Sequence, residues 1–103
     1  MICVSVSYPG GPGKRFDHEY YQDKHRALVV DRLTSVGLTR IEMDKGLSGM
    51  APGSEPMFTG GGRLYFNSIE EFQHAMAAHG AELMADIPNY TDITPQFQVS
   101  ETA

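Results

Sequence analysis

The chain has no tryptophan, a single cysteine, few basic residues and no long apolar run. Cys3 alone cannot close an intramolecular disulfide or build a thiolate metal site, which points to a reducing compartment and sets the expectation of a cytoplasmic protein. Eight Lys and Arg stand against thirteen Asp and Glu, a formal charge of −5. No broad positive field therefore exists to attract nucleic-acid phosphates. The basic residues are scattered, apart from Lys14-Arg15, and do not form the clusters that anionic lipid surfaces recruit. No apolar stretch approaches the roughly 18 residues of a membrane span, and the alternating residues 1–8 do not read as a signal-peptide core.

What is present suits one compact domain over residues 1–103, because 41% hydrophobic content can fill a single core in a chain of this length. Ile2, Val4, Val6 and Tyr8 alternate with Cys3, Ser5 and Ser7, the period of two that marks a strand over 2–8. Pro9-Gly10-Gly11-Pro12-Gly13 breaks regular structure. Its glycines lack the Lys-Ser/Thr ending of a P-loop and the spacing of a dinucleotide fingerprint.

Asp17 can cap a helix over 17–36 whose apolar positions Tyr21, Leu28, Val29, Leu33 and Val36 recur at helical spacing, with Gly37 placed for a left-handed end. Thr39, Ile41 and Met43 alternate with charged residues in a second strand. A third is expected over 57–67, bulged or weakened by Gly60-Gly61-Gly62. Ser68 followed by Glu71 forms a capping-box pattern for a helix over 68–79, ended by Gly80. Residues 81–86 can add one or two turns before Ile87-Pro88 stops them. Gln96 to Val99 alternate in a fourth strand.

This strand, helix, strand, strand, helix, strand order is the ferredoxin-like βαββαβ arrangement, an α+β fold with a four-stranded antiparallel sheet and both helices on one face. The other face, with Ser5, Ser7 and Tyr65, calls for a cover. A second copy is the simplest one, so a homodimer is expected.

Three stretches are similar to one known family. Tyr8-Pro9-Gly10-Gly11, the helix start Phe16-Asp17-His18-Glu19-Tyr20-Tyr21 with His25 beyond it, and the block from His79-Gly80 to Asp86-Ile87-Pro88-Asn89-Tyr90-Thr91-Asp92-Ile93 together resemble the EthD family, named for ethyl tert-butyl ether degradation. The resemblance spans nearly the whole chain and implies a dimeric α+β barrel. It does not imply one reaction. EthD proteins accompany a cytochrome-type monooxygenase system, and wider relatives include lactone isomerases, cofactor-free quinone-forming monooxygenases and haem-degrading enzymes. The haem-degrading route relies on a tryptophan, which this chain lacks.

On a regular helix His25 lies about 40° from Tyr21 and about 60° from Leu28, on the stripe that faces the sheet. There an imidazole can serve as a general acid or base, with Tyr21 as its catalytic partner, or can simply be a buried histidine with one hydrogen bond. Tyr20, His79, Asp86 and Tyr90 are candidate substrate contacts. Each has a structural alternative: ring packing for the tyrosines, helix capping for His79, and turn-forming bonds for Asp86. His18 and His74 read as solvent-exposed. The four histidines lack metal-ligand spacing, so no metal and no dissociable cofactor is expected.

Two functions fit these residues. One is a cofactor-independent oxidoreductase or isomerase acting on a small hydrophobic or aromatic oxygenated metabolite, with His25 moving a proton. The other is a non-catalytic accessory or carrier protein serving a partner oxygenase of a monooxygenase degradation pathway.

Overall fold

In the computed structural model, which describes residues 1–103, four strands form one antiparallel sheet in the order β2-β3-β1-β4. β1 spans Ile2–Pro9, β2 Arg40–Lys45, β3 Phe58–Phe66 and β4 Gln96–Glu101. β1 is central and pairs with both β3 and β4. The registers oppose Val4 to Leu64 and Val99, Val6 to Gly62 and Phe97, and Tyr8 to Gly60. Because side chains alternate along a strand, these residues share one face with Ile41 and Met43 of β2.

Both helices cover that face. The first opens on Asp17, whose Oδ1 accepts from the Tyr20 N–H at 3.0 Å, and ends at Gly37, whose φ of +116° is left-handed. The second spans Ile69–Asp86 and opens on Ser68, whose hydroxyl accepts from the Glu71 N–H. Between helices and sheet lies an aliphatic core in which Leu33, Phe66 and Ala75 are fully buried among Val4, Val29, Leu38 and Leu83. Burying such aliphatic and aromatic side chains stabilises by roughly 1.5–3 kcal/mol each.

Several sequence expectations are corrected. The second helix does not end at Gly80 but continues to Asp86, so His79 is not a cap. Gly80 keeps a helical backbone, residues 81–86 continue the same helix, and at Ile87-Pro88, the expected stop, it passes into a short 3₁₀ turn. Gly60, Gly61 and Gly62 do not bulge; each pairs in register with β1, and the irregularity falls just before them, between Tyr8 and Pro9. β4 extends to Glu101. His18 is half-buried rather than exposed, with its ring 4.6 Å from Phe16. Finally, the open face is charged: Arg63 bridges Glu42 at 2.9 Å and Asp44 at 2.8 Å, beside Arg40 stacked over Tyr65. No helix is long and apolar enough to cross a membrane.

Candidate functional site

Near its start the first helix departs from α geometry. Tyr21–His25 form a π-helical turn, closed by the Arg26 N–H bonding to the Tyr21 carbonyl five residues back. Such turns widen the helix locally and recur at functional sites. Here the wide turn stacks the Tyr21 and His25 rings, with centroids 5.8 Å apart and planes within 15°.

Glycine on the sheet beneath makes room for this end of the helix. A Cβ at Gly62 would stand 2.8 Å from the Tyr21 hydroxyl, and one at Gly60 would stand 3.0 Å from the Phe16 ring. The two glycines, alternate on one strand face, form a floor on which aromatic rings lie. Above it Tyr8, Phe16, Tyr21 and Tyr90 pack mostly edge to face, at centroid distances of 5.1 to 5.9 Å.

The segment after the second helix is tied to the segment before the first. The Arg15 N–H donates to Asp92 Oδ1 at 2.9 Å, the Arg15 guanidinium to the Pro88 carbonyl at 2.8 Å, and Thr91 Oγ1 to the Arg15 carbonyl at 2.6 Å. The Asp17 N–H donates to the Tyr90 carbonyl. This lacing holds the C-terminal end of the second helix against the π turn.

Asp86 is thereby brought to His25. Its Oδ2 lies 2.8 Å from His25 Nδ1, while its Oδ1 accepts from the Tyr20 hydroxyl at 2.7 Å and from Asn89 Nδ2 at 2.9 Å. Partial burial pushes the Asp86 carboxyl up, but the hydrogen bonds from His25, Asn89 and Tyr20 outweigh it and hold the group below its ordinary range. An ionised carboxylate only accepts, so His25 Nδ1 carries a proton and Nε2 presents its lone pair when the ring is neutral. Nε2 makes no hydrogen bond within the chain, and His25 is one of the residues that line a cavity.

That cavity holds about 430 Å³ between the sheet and both helices. Its walls are mainly apolar, with Met43, Leu64, Phe72 and Met76 among them. Met84, Phe97 and Val99 line it yet remain 48%, 50% and 41% exposed, so they form an apolar mouth. Burial pushes the Tyr21 hydroxyl far above its ordinary pKa, which keeps it a neutral donor. A second hollow, beside Ser5, Ser7 and Arg63 of the opposite sheet face, is lined mainly by glycines and small or polar residues and holds none of the expected site residues. No three His, Cys, Asp or Glu side chains come together as a metal-binding group.

Of the residues singled out from sequence, His25 and Tyr21 line the cavity. Tyr20, Asp86 and Tyr90 do not; they stand around His25 and fix its position. His79 is half-buried on the second helix and lies outside the cavity, although its neighbour Gly80 lines it. Sequence reasoning missed Tyr8, whose hydroxyl meets that of Tyr90 at 2.5 Å across 82 positions, and Gly62. The alternation of Gly60 and Gly62 on one strand face was the available signal for the aromatic layer above them.

The architecture is that of a ferredoxin-like α+β protein with an apolar cavity between its sheet and helices, lined by a histidine that is paired with a partly buried aspartate behind it. A model of the EthD domain matches residues 13–94, and the chain belongs to the EthD family. An EthD-like protein from Ralstonia eutropha JMP134 is similar in structure, with 45% identity and a TM-score of 0.91 over 97% of this chain and 89% of that one. An ethyl tert-butyl ether degradation family protein from Bacillus halodurans C-125 shares 19% identity, with a TM-score of 0.75 over 100% and 99% of the two chains. SnoaB from Streptomyces nogalater, a cofactor-independent oxygenase, shares the fold at 10% identity, with a TM-score of 0.67 over 98% and 90%. A search of curated proteins returns no match.

Proposed function

We propose that this EthD protein binds a small, largely apolar, oxygenated metabolite in the cavity, and that His25 moves a proton on it as the general acid or base of a cofactor-independent oxidoreductase or isomerase. One observation carries this reading: His25, a lining residue of an apolar cavity, is held through Nδ1 by an ionised Asp86 at 2.8 Å, which leaves Nε2 as its unpaired, lone-pair edge. A proton taken from the ligand by Nε2 creates an imidazolium, which Asp86 stabilises from behind. Returning that proton to another atom of the ligand completes an isomerisation. In the oxidoreductase form, dioxygen would be the oxidant that takes up the deprotonated ligand's electrons. The cofactor-independent oxygenase among the proteins of this fold is in keeping with the second course.

The apolar mouth and the scarcity of polar contacts also fit an accessory protein that carries an intermediate for a partner oxygenase, and the test below separates the two. The same reading includes a homodimer built on the open sheet face. Arg40 and Arg63 there stand beside Glu42 and Asp44, charges of both signs that can also pair across a twofold axis. Light scattering on a sizing column reads that state directly.

A thermal-shift screen of small oxygenated aromatics identifies ligands, because binding stabilises the folded chain by mass action. Conversion of a hit is then followed by mass spectrometry in the wild type and in His25→Ala. The expected result is a loss of turnover of about 100-fold or more, the usual scale of proton-transfer catalysis, with ligand still bound. Equal turnover in the two proteins would remove His25 from the chemistry. Tight binding without conversion in either would favour the carrier.

A further inference from the structure

Besides its apolar walls, the cavity has five polar lining residues: Tyr8, Tyr21, His25, Glu42 and Gln98. Three of these have nothing to offer a ligand. The Tyr8 hydroxyl is engaged with Tyr90. Glu42 and Gln98 belong to the opposite sheet face by register, where the carboxylate accepts from Arg63 and Tyr65 and the amide donates to Ser100. What remains is the Tyr21 hydroxyl, which makes no hydrogen bond within the chain, and His25 Nε2. The two rings stack within 15° at 5.8 Å, and both residues line the cavity.

The charges nearby narrow the ligand further. No lysine or arginine lines the cavity. The full charge closest to His25 is the Asp86 carboxylate, and it is negative. A ligand carrying a carboxylate or phosphate would enter an apolar cavity already charged, with no lysine or arginine to receive it and the Asp86 carboxylate behind the ring. A cationic ligand fares no better. Asp86 already accepts from three donors, and Glu42 is held by Arg63.

We infer that the ligand is an uncharged, weakly acidic hydroxyl compound, a phenol or an enol, which enters neutral and yields its hydroxyl proton to His25 Nε2 while the Tyr21 hydroxyl donates to the same oxygen. The inference rests on the reading of His25 given above and adds the ligand class and the role of Tyr21. In the step, the ligand O–H bond breaks and an N–H bond forms at Nε2. The electron pair stays on the oxygen, and no oxidant or reductant is consumed. The oxyanion and imidazolium arise together, so no net charge crosses the apolar mouth. Tyr21 is suited to the oxyanion because burial keeps its own hydroxyl protonated.

Three probes of one size test this with the full chain: 2-naphthol, naphthalene and 2-naphthoate, titrated calorimetrically at neutral pH. A bicyclic molecule is within the range such cavities accept. The expected order places 2-naphthol about tenfold or more tighter than either of the others. Tyr21→Phe keeps the ring and removes the hydroxyl; it should weaken 2-naphthol by about tenfold and leave naphthalene nearly unchanged. Naphthoate binding as tightly as naphthol would overturn the inference, and so would equal losses for naphthol and naphthalene in Tyr21→Phe. Naphthalene binding with no preference for naphthol overturns this inference but leaves the cavity reading intact. Failure of all three probes to bind overturns both.

Discussion

The helix-covered face of the sheet carries two clusters built from different materials. Toward one end, Val4, Val29, Leu33, Leu38, Phe66, Ala75 and Leu83 form an aliphatic core without a polar side chain. Toward the other, Tyr8, Tyr21, Tyr90 and Ile93 gather with Phe16 and Tyr20 around His25, which places four of the chain's five tyrosines at one site. The aliphatic end fills its space with branched side chains, and its stability comes from burial and contact. At the aromatic end glycines are cut out of the strand so that rings can lie on it, and every buried hydroxyl or carboxylate is given a partner except those that face the cavity. One end holds the sheet and helices together. The other uses that rigidity to hold an imidazole and a phenol at a fixed wall.

The contrast is tested most severely at its structural end. Leu33 is fully buried between the first helix and the sheet. Leu33→Ala should cost about 3 kcal/mol, combining lost transfer free energy with the cavity left behind. Chemical denaturation measures this, and the midpoint should fall with little change in slope. A loss below about 1 kcal/mol would mean that the aliphatic end is not the main support of the fold, since a fully buried leucine rarely costs so little to truncate.

A smaller effect is expected at the junction of the clusters. Asp86→Asn replaces an acceptor of three hydrogen bonds by an amide that must turn one donor against donors, with an expected cost of about 2 kcal/mol at neutral pH. The pH dependence has a definite sign. The folded-state pKa of Asp86 lies below its reference value of 3.8, so its contribution is fully present above that value and is lost as pH falls through the lower, folded-state value. The stability gap between wild type and Asp86→Asn should therefore be present above the ordinary carboxylate range and shrink below it. Melting temperatures of both proteins across that range measure the gap. A gap that does not shrink below the ordinary carboxylate range would show that the carboxylate is not held ionised by its neighbours.

How much of this was readable beforehand depends on the distance over which each feature is encoded. The βαββαβ order follows from local signals: the alternation in residues 2–8, the caps at Asp17 and Ser68, and the left-handed Gly37. The inward aim of His25 also follows from local helical spacing, although the π turn that stacks it on Tyr21 has no signature in the residue pattern. Its partner Asp86 lies 61 positions away, and the pairing exists only because the second helix runs on through Gly80 to deliver the carboxylate. Reading Gly80 as a helix end, with 81–86 only as possible added turns, hid the contact. The Tyr8–Tyr90 pair, 82 positions apart, and the glycine floor under the rings are likewise products of strand register and lacing between distant segments.

The least effect, and the one that most sharpens the contrast, is expected at the Tyr8–Tyr90 hydroxyl pair. Both rings are almost fully buried, and neither hydroxyl has another partner within the chain. Tyr90→Phe leaves the Tyr8 hydroxyl without its partner and should cost about 1 kcal/mol. The double variant Tyr8→Phe/Tyr90→Phe removes donor and acceptor together while keeping both rings, so it should be no less stable than the single one, because an unmade bond between two absent groups carries no desolvation penalty. A double-mutant cycle in denaturant reads the coupling. Affinity for 2-naphthol should be unchanged in both variants, since Tyr8 lines the cavity but spends its hydroxyl on Tyr90, and both rings are kept. A loss of binding in the double variant would move Tyr8 from the support of the site into the site itself.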